Sequence, residues 1–132
     1  MRFGLRVVLA GLLTGPGHAQ ADIDCDAAQA QVELTYCAEQ AWRAADDALN
    51  AAYGSARRVM QQIDAELAQD QRGAEAALRD GQRAWIGFRD GTCAAEGYVF
   101  HGGSAEPMVI YACRERLTLA RADDLTALAE PY

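Results

Sequence analysis

Reactive chemistry has few places to reside in this chain. His101 and Ser104 share the segment Gly97-Tyr98-Val99-Phe100-His101-Gly102-Gly103-Ser104, the one place where a base lies near a hydroxyl nucleophile. A separation of three residues establishes no hydrogen bond, and His101 reads as an exposed loop histidine. Asp46-Asp47 and Asp123-Asp124 are paired acids, but adjacent helical residues diverge, whereas glycoside hydrolysis needs two carboxylates that face each other. The sequence contains no phosphate-binding glycine loop, dinucleotide fingerprint or calcium loop. The four cysteines, Cys25, Cys37, Cys93 and Cys113, are separated by 12, 56 and 20 residues, not the close pairs of a zinc site. The expectation is a protein that is not an enzyme and holds neither metal nor cofactor.

The first segment gives those cysteines their context. Met1 to Ala21 has Arg2 and Arg6, then the apolar run Val7 to Leu13, then a small-residue exit at Ala19 and Ala21. This is the pattern of a secretory signal peptide, cleaved after Ala19 or Ala21. The apolar run is shorter than the roughly 20 residues of a membrane span. Asp22-Ile23-Asp24 before Cys25 does not suit a lipidation site, so the expected product is a soluble periplasmic or secreted protein, residues 22–132, in one domain. In such a chain four cysteines read as two disulfides with three possible connectivities. The local pairs Cys25–Cys37 and Cys93–Cys113 are favoured. A continuous helix from 25 to 37 would hold its ends about 18 Å apart, beyond the roughly 7 Å that a disulfide tolerates. The chain must therefore turn near residue 30, with Asp26 and Gln29 as candidate caps.

The full chain carries 12 basic residues, all arginine, against 19 acids, a net charge of −7. Loss of residues 1–21 removes two arginines and no acid, which takes the exported form to −9. That balance disfavours nucleic acid and anionic membranes as partners. Apolar spacing predicts three helices, over about 31–71, 74–96 and 105–129. Arg72-Gly73 is the expected first stop, and Ser104 the expected cap of the last helix. Leu49, Ile63, Trp85, Phe88 and Leu125 are among the core candidates. The fold class is all-α, a small antiparallel bundle of three long helices with a short N-terminal helical turn, stapled twice. Gly97 to Gly103 is the loop between the last two helices. Its Val99 and Phe100 are expected to tuck back over the bundle end, leaving His101, Gly102, Gly103 and Ser104, with Tyr98, as the candidate binding tip.

Three blocks carry a resemblance. Cys25, Cys37-Ala38, Ala45-Asp46, Leu49-Asn50 and Tyr53 form the first, and Gln82, Trp85-Ile86, Arg89-Asp90 and Cys93 the second. Gly102-Gly103-Ser104, Cys113, Leu117-Thr118, Arg121 and Leu125 form the third. The pattern resembles the LprI-type lysozyme-inhibitor domain family, small secreted bacterial proteins, and spans about residues 24–128. Ala30 departs from it, standing where such proteins often have a threonine that caps the long helix. The resemblance implies a helical, disulfide-bonded envelope protein, one branch of whose family is associated with lysozyme inhibition. A basic lysozyme would suit an acidic partner; the alternative is a non-inhibitory envelope interaction module. Gln82, Trp85, Arg89, Asp90, Thr118 and Arg121 are expected to hold the helices together, with Arg89, Asp90 and Arg121 in partly buried charge pairs.

Overall fold

A computed structural model describes residues 23–130 of the chain; the expected signal peptide lies outside them. After a turn at 25–27 come α1 (Gln31–Glu66), a short 3₁₀ turn (Gln69–Gln71), α2 (Ala74–Gly97), a second 3₁₀ turn (Tyr98–Phe100) and α3 (Glu106–Ala129). Short connections make α2 antiparallel to both neighbours, and no strand occurs among the described residues. The fold is the all-α bundle expected from the sequence.

Both disulfides follow the local pairing. Cys25 joins Cys37 and Cys93 joins Cys113, with Cα atoms 5.6 and 5.4 Å apart. The first is possible because the chain turns before α1. Asp24 makes that turn, its Oδ1 accepting the Asp26 N–H at 3.0 Å, so neither Asp26 nor Gln29 supplies the cap. In place of a residue-30 hydroxyl, Glu33 Oε2 reaches back to accept the N–H groups of Gln29 and Ala30, each at 3.2 Å. A carboxylate in a first helical turn also suits the helix dipole.

α1 stops five residues earlier than its periodicity suggests. Asp64, in its last turn, extends its carboxylate to the start of the next helix, where Oδ1 accepts from Gly73 and Ala74 at 2.8 and 2.9 Å. Oδ2 accepts from Glu75 at 3.1 Å. The donors orphaned at the α2 N-terminus are thus satisfied from α1, not from a local cap. These three bonds hold the Asp64 carboxyl below its ordinary pKa. Arg57 Nε on α1 adds an ion pair to Glu75 Oε1 at 2.6 Å.

The core is small. Leu49, Ala56, Leu78, Ala122 and Leu125 form its centre, flanked by Tyr53, Met60, Trp85 and Leu128. Alanines at 45, 56 and 122 are buried and let α1 and α3 approach closely along the most extensive interface of the bundle. Phe88 and Ile63, expected inside, are exposed, as is Leu119 on α3. Phe88 lies on the outer side of α2, away from buried Leu78, Arg89 and Cys93. A core this limited supplies few kcal/mol beyond the entropy of ordering the chain, which raises the weight of two covalent staples.

Candidate functional site

The α2–α3 connection is the most apolar exposed element of the described residues. Helix α2 runs on through Gly97, and the single 3₁₀ turn that follows holds Tyr98, Val99 and Phe100 outward, 65%, 79% and 48% exposed. Val99 and Phe100 therefore do not fold back over the bundle end. The cause is the backbone: His101 N–H bonds Tyr98 O at 3.1 Å and Gly103 N–H bonds Phe100 O at 2.8 Å. Two successive tight turns leave no length of chain with which to bury the three side chains. Gly102 takes φ of 76°, a left-handed conformation that favours glycine.

Glu106, the first residue of α3, organises the rest of the tip. Its Oε2 accepts the Gly102 N–H at 2.8 Å, and its Oε1 lies 3.2 Å from His101 Nδ1. The first of these bonds, then the histidine, holds the Glu106 carboxyl below the ordinary glutamate value. An ionised carboxylate can only accept, so Nδ1 carries the proton in this contact and Nε2 is the ring nitrogen left over. Tyr98 stacks on the imidazole with ring centroids 4.6 Å apart. Ser104 neither bonds His101 nor caps α3; the residue preceding α3 is Ala105, and Glu106 does the fastening. The N–H groups of Gly102 and Gly103 are both already engaged, so the side chains of Tyr98, His101 and Ser104 carry the polar groups left to the tip.

Beneath the tip the support is rigid. Cys93 and Cys113 are 0% and 2% exposed and tie the penultimate turn of α2 to the start of α3. Gly97 sits against α3 so closely that an added Cβ would lie 2.6 Å from Ile110 Cγ1. The N-terminus of α1 reaches the same end, where Gln31 Nε2 contacts Met108 Sδ at 3.4 Å. A shallow depression between Gln31, Val32, Thr35 and Ser104 joins the two segments. Val32 and Tyr36, both exposed, enlarge the apolar character of this end. Sequence reasoning missed these two and Glu106; an acid three residues after a Gly-Gly pair and opening a helix was the available signal.

The remaining motif residues gather elsewhere, around Arg89 in the middle of α2. Arg89 is 7% exposed, with its guanidinium 5.7 Å from the Trp42 ring and 5.2 Å from the Trp85 ring. Its charge faces Asp90 at 3.0 Å and Asp46 at 3.5 Å. Arg114, 5.0 Å over Trp42 and 3.4 Å from Asp90, completes the cluster from α3. Arg121 Nε donates to Gln82 Oε1 at 3.1 Å, while the Thr118 hydroxyl is fully buried with no hydrogen-bond partner among the described residues. No group of three His, Cys, Asp or Glu side chains that could hold a metal ion occurs among the described residues.

Comparison with known proteins agrees with this architecture. The family model described as "Lysozyme inhibitor LprI" matches residues 24–125. The chain is 43% identical over 121 residues to an uncharacterized protein of Rhizobium meliloti (strain 1021), covering 89% of this chain and 87% of the relative. No solved structure matches it.

Proposed function

This chain belongs to the LprI lysozyme-inhibitor family, and from that premise we propose that it is exported and binds a basic lysozyme-type protein, entering its cleft with the 98–104 tip. In this reading residues 1–21 are the cleaved signal, residues 22–132 the single working domain, and the destination the periplasm or the exterior. No helix among the described residues is long and apolar enough to cross a membrane. The net charge of −7 supports the choice of a basic partner, since opposite charge accelerates encounter and makes binding sensitive to salt.

The observation that carries the reading is the exposure of Tyr98, Val99 and Phe100 on a tip whose backbone is already fastened. Interface energy concentrates in aromatic anchors that enter pockets, and a preorganised tip loses little entropy on docking. Ser104 flanks the apolar anchors with a hydroxyl that donates to a carboxylate in the partner's cleft, while His101 Nε2 accepts from a protonated carboxyl there. The family description is that of an inhibitor, and catalysis by this chain forms no part of the proposal.

A cell-wall lysis assay with hen lysozyme, at low and moderate salt, tests it. Inhibition at micromolar protein is expected, weaker as salt rises, and lost on deletion of Tyr98–Gly103 with the helical spectrum intact. Absence of inhibition against c-, g- and i-type lysozymes overturns the reading and leaves the non-inhibitory envelope module. Inhibition that survives the deletion overturns the tip assignment alone.

A further inference from the structure

Although α1 and α2 are antiparallel neighbours, they touch much less than α1 and α3, and a groove of about 490 Å³ opens between them. That is within the range of about 300–1,000 Å³ typical of small-molecule sites. Its walls are rich in donors and cations. Arg79 and Arg83, four residues apart, share one face of α2. Arg83 has no carboxylate within ion-pair distance among the described residues, and Arg79 pairs only with its exposed neighbour Asp80 at 3.0 Å. Pairs so exposed contribute little and exchange readily.

The groove's one carboxylate is already engaged. Asp46 faces Arg89 at 3.5 Å and accepts from Asn50 Nδ2 at 3.3 Å. Gln82 gives its Oε1 to Arg121, which leaves the donating Nε2 as the unused end of that amide. Tyr53 lines the groove with Asn50, one face of it packed on the core. A ligand meeting these groups must be acceptor-rich and negatively charged. Two arginines on one helix face, of which Arg83 has no ion-pair partner among the described residues, run against the acidity of the chain as a whole.

We propose that this groove binds a small polar ligand bearing a carboxylate or phosphate, with the anion on Arg79 and Arg83 and its hydroxyl or amide body along Asn50, Tyr53 and Gln82. Guanidinium forks suit either anion through paired hydrogen bonds. Asp46, Asn50, Tyr53 and Gln82 belong to the blocks that carry the family resemblance, and docking through the 98–104 tip uses none of them. Arg83 lies 15 residues before Tyr98, about 22 Å along the helix direction, so the site is independent of the tip and of lysozyme binding.

The purified protein is titrated with glucuronate, glucose 6-phosphate and neutral methyl glucoside, with arginine Nε–H and side-chain amide NMR signals as the readout. Saturable shifts at Arg83, Asn50 and Gln82 are expected for at least one anion, with the neutral sugar at least tenfold weaker. The tighter anion identifies the group recognised. The double variant R79Q/R83Q, changed only at exposed side chains, is expected to weaken binding at least tenfold with an unaltered melting temperature. Non-saturating shifts with both anions, equal binding of the neutral sugar, or undiminished binding by the double variant would each overturn the site.

Discussion

The two ends of the bundle solve one problem with one device and then part company. At the α1–α2 end, the Asp64 carboxylate captures three backbone N–H groups. At the α2–α3 end, the Glu106 carboxylate captures the Gly102 N–H and the His101 ring. Around the first, the connection is polar: Gln69, Asp70, Gln71 and Arg72, all exposed. Around the second it holds three large apolar side chains in solvent and stands on a buried disulfide. Closing a helical hairpin requires none of these apolar groups, as the first end demonstrates. Their presence at only one end is therefore not a requirement of closing the hairpin.

The contrast can be broken most forcefully at the staple. Replacing Cys93 and Cys113 together with alanine is expected to cost about 3 kcal/mol, the loop-entropy value for a closure of this length, in urea unfolding. Next comes Gly97→Ala, whose new methyl meets Ile110. Overpacking of about 1–3 kcal/mol, set against the roughly 1 kcal/mol helix preference of alanine, predicts a net loss of about 1 kcal/mol. Gly91→Ala, with open space around the added carbon, is expected to gain up to about 1 kcal/mol in the same measurement. At the opposite end, Asp64→Ala uncaps α2 and is expected to lower the melting temperature by a few degrees.

Acid separates the two latches more finely. Both carboxyls have lowered folded pKa values, so each contributes stability above its unfolded value, and that contribution is lost as pH falls through the folded one. The unfolded values are 4.5 for Glu106 and 3.8 for Asp64, so the Glu106 contribution begins to fade at the higher pH. Urea unfolding of Glu106→Gln and Asp64→Asn beside the parent chain, across the acid range, follows the two losses. The smallest expected effect sharpens the comparison most. Serine in place of Val99 should move stability by no more than about 0.5 kcal/mol, because that side chain is 79% exposed and makes no stack or ion pair. A larger loss would mean that the tip packs after all.

Much of this was legible from residue order. The helix starts near 31, 74 and 106 follow from periodicity and the breaks between the apolar stretches; the cysteine pairs match the local pairing favoured among three connectivities, and the turn before α1 is what the Cys25–Cys37 bond requires. What was not legible depends on contacts between segments. The end of α1 at Glu66 is tied to a carboxylate that serves the next helix, which no window of periodicity contains. Phe88 was misplaced because helical spacing marks an apolar residue without saying whether a neighbouring helix covers it. Val99 and Phe100 were misplaced because hydrophobicity argued for burial while two tight turns denied it. Within the tip, glycines and Ser104 drew attention, yet Glu106 does the fastening from the adjoining helix.

The Cys93–Cys113 bond, with Gly97 wedged against Ile110, makes the six or so residues above it an interchangeable cassette. Val99 at its apex is 79% exposed, while the stem that presents it is covalently closed and the backbone exit is latched by Glu106. Such a hairpin can accept new tip sequences without renegotiating its fold. One scaffold can in this way be varied at its exposed apex, as a handle is fitted with different bits.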